Sequence, residues 1–200
     1  CKNQRTHHAA YLIQCLVNTK AETTTNAMCC VREHGIARGS ANRFADPLKN
    51  MLRSLYRDAG LDDAEIERRI EGDLKEVPCG VLCGKTPRQA MQWLGTEWGR
   101  NLIADDIWVR AWSARVPPAG CIVDDVRFPN EVAEIHRLGG IVLRVIRSRD
   151  EILIPPTHVS ENFSALDYDF CIDNFGNEKD LSATIKQIIS EMRSGQWRAA

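Results

Sequence analysis

The sequence predicts an α/β chain, a largely parallel sheet with helices on both faces. Residues 121–126 and 141–146 are β-branched apolar runs flanking a helical stretch, 130–138, that ends at Gly139-Gly140. That order is a β-α-β crossover, parallel and right-handed by default. The apolar run 10–17 (AYLIQCLV), followed by a helix-forming stretch at 23–34, repeats the same logic at the start of the chain. A closing helix, 181–192, with Leu181, Ile185, Ile188, Ile189 and Met192 at helical spacing, supplies another covering layer.

Between the opening β-α pair and the C-terminal alternation the pattern turns helical. RGSANR (38–43) reads as a loop, and Pro47 opens a helix with Leu48, Met51, Leu52 and Leu55 as its apolar stripe, closed by Ala59-Gly60. The next helix, 63–71, has only Ile66 and Ile70 on its apolar side and is expected at the surface. Residues 77–85 hold a proline, two glycines and two cysteines and form a connector. Thr86 caps a helix with Pro87 at its first position and Ala90, Met91, Leu94 and Trp98 along its stripe. A further helix, 105–115, carries Ile107, Val109, Ala111 and Trp112 and ends at Pro117-Pro118, and 170–172 is a candidate further strand. The expected organisation is a single domain over residues 1–200 with a helical region at about 47–116.

Composition narrows the function classes. At 200 residues, 44% hydrophobic and 26% charged, the chain can bury a core. No stretch reaches the roughly 18–20 apolar residues that span a bilayer, and no signal peptide is read. A cytoplasmic setting without membrane partners is expected. A net charge of -1 gives no long-range field for a polyanion, so nucleic acid is not an expected partner and a small anionic substrate fits better. A homodimer is left open. Eight cysteines without paired ligand spacing read as reduced thiols, not as a zinc site.

In a parallel α/β sheet, ligands lie beyond the carboxyl ends of the strands. The cluster Asp124-Asp125-Val126-Arg127-Phe128-Pro129-Asn130-Glu131 follows such a strand. There the two carboxylates, Asp124 and Asp125, can hold Mg²⁺, directly or through water, while Arg127 neutralises phosphate oxygens. The bland alternative has Asp124 capping a turn and Arg127 pairing with Glu131. Arg144, Arg147 and Arg149 can close over a nucleotide as a lid or stand as solvated charges. Arg88, Arg100 and Arg110 lie on expected helices, and His158 and Glu161 follow the proline-rich loop IPPTH.

A phosphate-binding loop after the first strand needs glycines, a lysine and a hydroxyl residue. With Lys20 as that lysine, Gln14 and Thr19 stand at the glycine positions and Ala21 at the hydroxyl position, leaving Thr23, Thr24 or Thr25 to supply the hydroxyl. A substitute, Gly84-Lys85-Thr86, opens a helix but follows a poor strand.

Taken together, FADPLK (44–49), GKTPRQAMQWLGTEWGR (84–100), DDIWVRAW (105–112), VDDVRFPNE (123–131) and THVSE (157–161) resemble the phage-type deoxynucleoside monophosphate kinases in order and spacing, over about residues 31–189. The resemblance implies a P-loop kinase-like fold and transfer of the γ-phosphoryl group of ATP, with Mg²⁺, to a deoxynucleoside monophosphate. It implies a substrate side of Lys49, Arg88, Gly95, Thr96, Trp108 and Glu131, with His158 and Glu161 near a closing loop. Asp125, Arg127 and Arg147 would be catalytic, Asp125 the Mg²⁺ acid, and Lys20 and Thr23 the ATP contacts. The sequence departs from the family at VNTKAETTTNAM (17–28), where members carry a glycine-rich loop. A non-catalytic deoxynucleotide-binding homologue, or a decayed prophage remnant, is the alternative.

Overall fold

Three short parallel strands organise the chain in a computed structural model that describes residues 13–16, 42–117, 120–146, 166–173 and 178–193. Strand β1 (Ile13–Leu16) pairs with β2 (Ile141–Ile146), and β2 pairs with β3 (Phe170–Asp173), in the order β1-β2-β3. The register sets Ile13 beside Ile141 and Leu143 beside Phe170. β2 is central, and Ile141, Val142 and Leu143 are all buried. This matches the continuous β-branched run expected of a strand covered on both faces.

Residues 121–126, expected as a strand, depart from that reading in part. They are buried at Cys121, Ile122, Val123 and Val126, and among the described residues they form no strand beyond a single bridge position at Ile122. The Ile122 carbonyl accepts from the Asn42 N–H at 3.0 Å. The helix after it, observed at Pro129–Arg137, ends in a Schellman turn: Gly140 N–H donates to the Ile135 carbonyl at 2.8 Å and Gly139 N–H to that of His136 at 2.9 Å. Gly139 has φ +79°, a left-handed conformation that glycine adopts at little cost and that ends the helix just before β2.

The chain divides into two compact units, residues 44–114 and residues 1–43 with 115–200. In the first, α1 (Asp46–Asp58) and α2 (Asp63–Ile70) pack together over a core of Leu48, Leu52, Tyr56, Ile66, Ile70, Cys79, Met91 and Trp108. The buried face of α1 runs through Leu48, Lys49, Leu52 and Tyr56; Met51 and Leu55, expected in its stripe, are exposed. The aromatic ring of Tyr56 buries more apolar area than Leu55 offers, and the helix turns to place it inside. α2 starts at Asp62, whose side chain accepts from Glu65 N–H at 2.8 Å, and Ile66 and Ile70 are fully buried, so its outer face alone meets solvent.

A 3₁₀ turn (Gly80–Leu82) leads to α3 (Pro87–Trp93). Thr86 and Gln89 form a reciprocal capping box at its start, Gln89 N–H donating to Thr86 Oγ1 at 3.2 Å and Thr86 N–H to Gln89 Oε1 at 3.0 Å. The chain then widens into a π-helical segment, Leu94–Ile103, and α4 (Ile107–Ser113) buries Trp108, Val109 and Trp112. In the other unit, the helix Pro129–Arg137 is α5 and the closing helix Glu178–Arg193 is α6, with Leu181, Ile185 and Ile188 buried. No helix among the described residues is long and apolar enough to cross a membrane.

Candidate functional site

The acidic turn after residues 121–123 is built around a pairing that lies 81 positions apart in sequence. Arg43 Nε and Nη2 donate to Oδ1 and Oδ2 of Asp124, each at 2.6 Å, and the Asp124 side chain is only 5% exposed. Arg43 is itself held, its carbonyl accepting from Arg115 Nη2 at 3.0 Å. A carboxylate this enclosed needs the bidentate guanidinium to offset its lost hydration. Asp124 is thus closed into a fork, and Asp125 stands half-buried beside it.

Arg127 stands exposed at the start of α5. Glu131, almost fully buried, turns its Oε2 back to accept from Arg127 N–H at 2.7 Å and Phe128 N–H at 3.1 Å. Those are helix N-terminal donors without intrahelical partners, and a carboxylate there also meets the positive end of the helix dipole. Glu131 is therefore the cap of α5.

In the helical unit the predicted residues sit on separate elements. Lys49 on α1 is buried, and its Nζ donates to Glu71 Oε1 at 2.8 Å. Arg88 in the first turn of α3 donates through Nε to Glu76, while its backbone N–H donates to the Lys75 carbonyl at 3.0 Å. Gly95 and Thr96 lie in the π-helical segment. Trp108 on α4 is 4% exposed and donates its indole N–H to the Gly95 carbonyl at 2.7 Å. Its ring covers Gly99 so closely that a Cβ there would lie 2.5 Å from Cζ2. The partly exposed Trp98 leans over it, ring centroids 6.2 Å apart.

Around them, Arg53 forks onto Glu67 with Nε–Oε1 at 2.6 Å and Nη2–Oε2 at 3.0 Å. That hydrogen bond holds the Glu67 carboxyl below its ordinary range and raises Arg53 in turn. Burial pushes the Tyr56 phenol up to about 12 and the Cys121 thiol up to about 11.

Gly84-Lys85-Thr86 is not a phosphate loop. The N–H groups of Leu82, Cys83, Gly84 and Lys85 donate to the carbonyls of Cys79, Gly80, Cys79 and Leu82, and Thr86 N–H goes to Gln89. A phosphate cradle requires those donors to face the ligand. Arg144 is likewise no lid residue: it lies within β2, its guanidinium 5.5 Å from the Tyr168 ring centroid. Arg100 is buried, donating to the Asp105 carbonyl at 2.7 Å, and Arg110 pairs with Asp106. Arg147, His158, Glu161, Lys20 and Thr23 lie outside the described residues. Among the described residues no three potential metal ligands cluster. Sequence reasoning missed Arg43, Glu71, Glu76 and Gly99; the spacing of Gly95 and Gly99 ahead of a tryptophan was the one local signal for the last.

Comparison with known proteins points one way. A protein of Acanthamoeba polyphaga mimivirus, named provisionally as a deoxynucleotide monophosphate kinase, is 31% identical over 74% of this chain and 79% of its own length. The deoxynucleoside-5'-monophosphate kinase of Escherichia phage T5 is 32% identical over a shorter stretch, 38% of this chain and 34% of its own. No protein-family model matches.

Proposed function

The chain belongs to the deoxynucleotide monophosphate kinase family, and from that premise we propose that it transfers the γ-phosphoryl group of ATP to the phosphate of a deoxynucleoside monophosphate on a P-loop kinase-like fold. The observation that carries this reading is the 31% identity to the mimivirus relative across 79% of that protein's length. The small parallel sheet is compatible with such a fold.

On this reading the substrate phosphate and sugar are met by Lys49, Arg88, Gly95 and Thr96, with Trp108 shaping their setting from beneath through its hydrogen bond to Gly95. Arg127 and Arg147 neutralise the transferring group, and His158 and Glu161 close over the substrate. Glu131 acts through α5, whose first turn it holds. Positioning and charge stabilisation carry most of a phosphoryl transfer, so cations on fixed backbone suit the task.

Mg²⁺ fits the acid turn in one specific way. This ion keeps waters and substrate phosphates as ligands and needs only one or two carboxylates, and Asp125 in the strand-end turn is the residue we assign to it. When bound it would screen the negative charge between the two nucleotides. Lys20 and Thr23 are assigned to ATP.

A second reading, a non-catalytic deoxynucleotide-binding homologue, is favoured by Gln14 and Thr19 standing where the family's loop has glycines. A coupled ADP-release assay with dGMP, dTMP and dCMP separates the two, run beside calorimetry of each nucleotide. Turnover supports the kinase; monophosphate binding without ATP binding or turnover supports the homologue.

A further inference from the structure

Ion pairs of the helical unit range from closed forks to single contacts such as Arg57 with Asp63 and Arg110 with Asp106, and Glu71 Oε1 also lies 3.6 Å from Arg53 Nη2. Arg53 with Glu67 and Arg68 with Asp73 are closed forks, Nε and Nη2 each meeting one of the two carboxylate oxygens. Lys49 and Arg88 are held differently. The Lys49 ammonium, with three donors, makes one hydrogen bond among the described residues, to Glu71 Oε1. Among the described residues the Arg88 guanidinium is met at Nε, by Glu76 Oε1, with its Nη edge outside that pair. A guanidinium edge and an ammonium with spare donors are what a phosphate monoester dianion binds.

Both acids come from one connector, residues 71–76, whose backbone is pinned. Gly72 and Leu74 N–H donate to the Arg68 carbonyl at 3.1 and 3.0 Å, Val77 N–H to that of Leu74 at 3.1 Å, and the Lys75 carbonyl accepts from Arg88 N–H at 3.0 Å. Each acid therefore starts from a held backbone beside its own cation, Glu71 at Lys49 and Glu76 at Arg88.

We propose that Glu71 and Glu76 are positioning residues that hold Lys49 and Arg88 ready and, by their charge, set how tightly these two cations bind a substrate phosphate. The inference rests on the proposed role of Lys49 and Arg88. Each carboxylate orients its cation through one oxygen and at the same time repels the incoming dianion. Glutamine keeps the accepting oxygen and removes the charge, so Glu71→Gln and Glu76→Gln leave the cations oriented and strip away the repulsion.

The test is calorimetric binding of dGMP, dTMP and dCMP to the full chain and to both variants at two salt concentrations, beside thermal unfolding of each. The expected result is a Kd about threefold to tenfold lower in each variant at low salt, with the gain shrinking as salt rises. An unchanged or higher Kd with a lower melting temperature makes the pairs purely structural and overturns the proposal. Should Glu71→Gln fail to fold, Glu76→Gln carries the test, since the Glu76 side chain is 61% exposed. Failure of the wild-type chain to bind any monophosphate overturns the proposed function first and this inference with it, an outcome distinct from an unchanged Kd.

Discussion

Trp108 and Gly99 touch: the indole lies so close over the glycine that a Cβ added there would sit 2.5 Å from Cζ2 and 2.6 Å from Nε1. The contact explains the local geometry. With Gly99 bare and the Gly95 carbonyl taken by the indole N–H, the helix widens into i→i−5 bonding, as in Ala104 N–H to the Gly99 carbonyl at 3.0 Å. π-helical turns are rare and cluster at functional sites.

Gly99→Ala is expected to destabilise the chain by about 1–3 kcal/mol despite alanine's better helix propensity, because either the ring or the helix must move. Denaturant unfolding measures it. A neutral or stabilising effect would show that the ring shifts freely.

Arg43→Met should cost about 2–4 kcal/mol, since it strands the enclosed Asp124 carboxylate. Arg43→Met with Asp124→Leu should recover much of that loss, because the uncompensated charge goes with it. A double-mutant cycle gives the coupling, and additive losses would contradict the fork.

Glu131→Ala removes the acceptor of two N-terminal N–H groups of α5 and is expected to cost about 1–2 kcal/mol, Glu131→Gln less. Equal losses in the two variants, by urea unfolding, would argue against capping.

Tyr56 sets an alkaline limit. Its folded pKa is raised from 10.0 to about 12 by burial, so its contribution is complete below the unfolded value and disappears as pH climbs from 10 toward 12. The loss is on the order of 2–3 kcal/mol across that window. Tyr56→Phe should flatten the fall in stability between pH 9 and 11, as read by urea midpoints at each pH.

Brief alkylation of the native chain should label Cys83 and Cys171, which are exposed, and spare Cys79 and Cys121, which are buried. Burial also pushes the Cys121 thiol up to about 11, keeping it protonated and unreactive near neutral pH. Peptide mass mapping decides it; early labelling of Cys121 would contradict its enclosure.

Much was legible without coordinates. The strands at 141–146 and 170–172, the helix between Pro129 and the Gly139-Gly140 stop, the Thr86 cap and the closing helix all depend on interactions within a few residues, and periodicity and capping chemistry report those directly. The family was legible too, in the order of its motif blocks, and the mimivirus relative agrees. The tertiary structure alone decided which of many charges meet. Asp124 closes on Arg43, Glu131 accepts from the backbone N–H groups of Arg127 and Phe128, and Lys49 and Arg88 are held by Glu71 and Glu76. Charge carries no periodicity, and an ion pair forms wherever folding brings opposite ends together. The same holds for the face that α1 buries, where Tyr56 outweighs Leu55, and for the widened helix, which exists because a tryptophan nine residues beyond Gly99 packs back onto it.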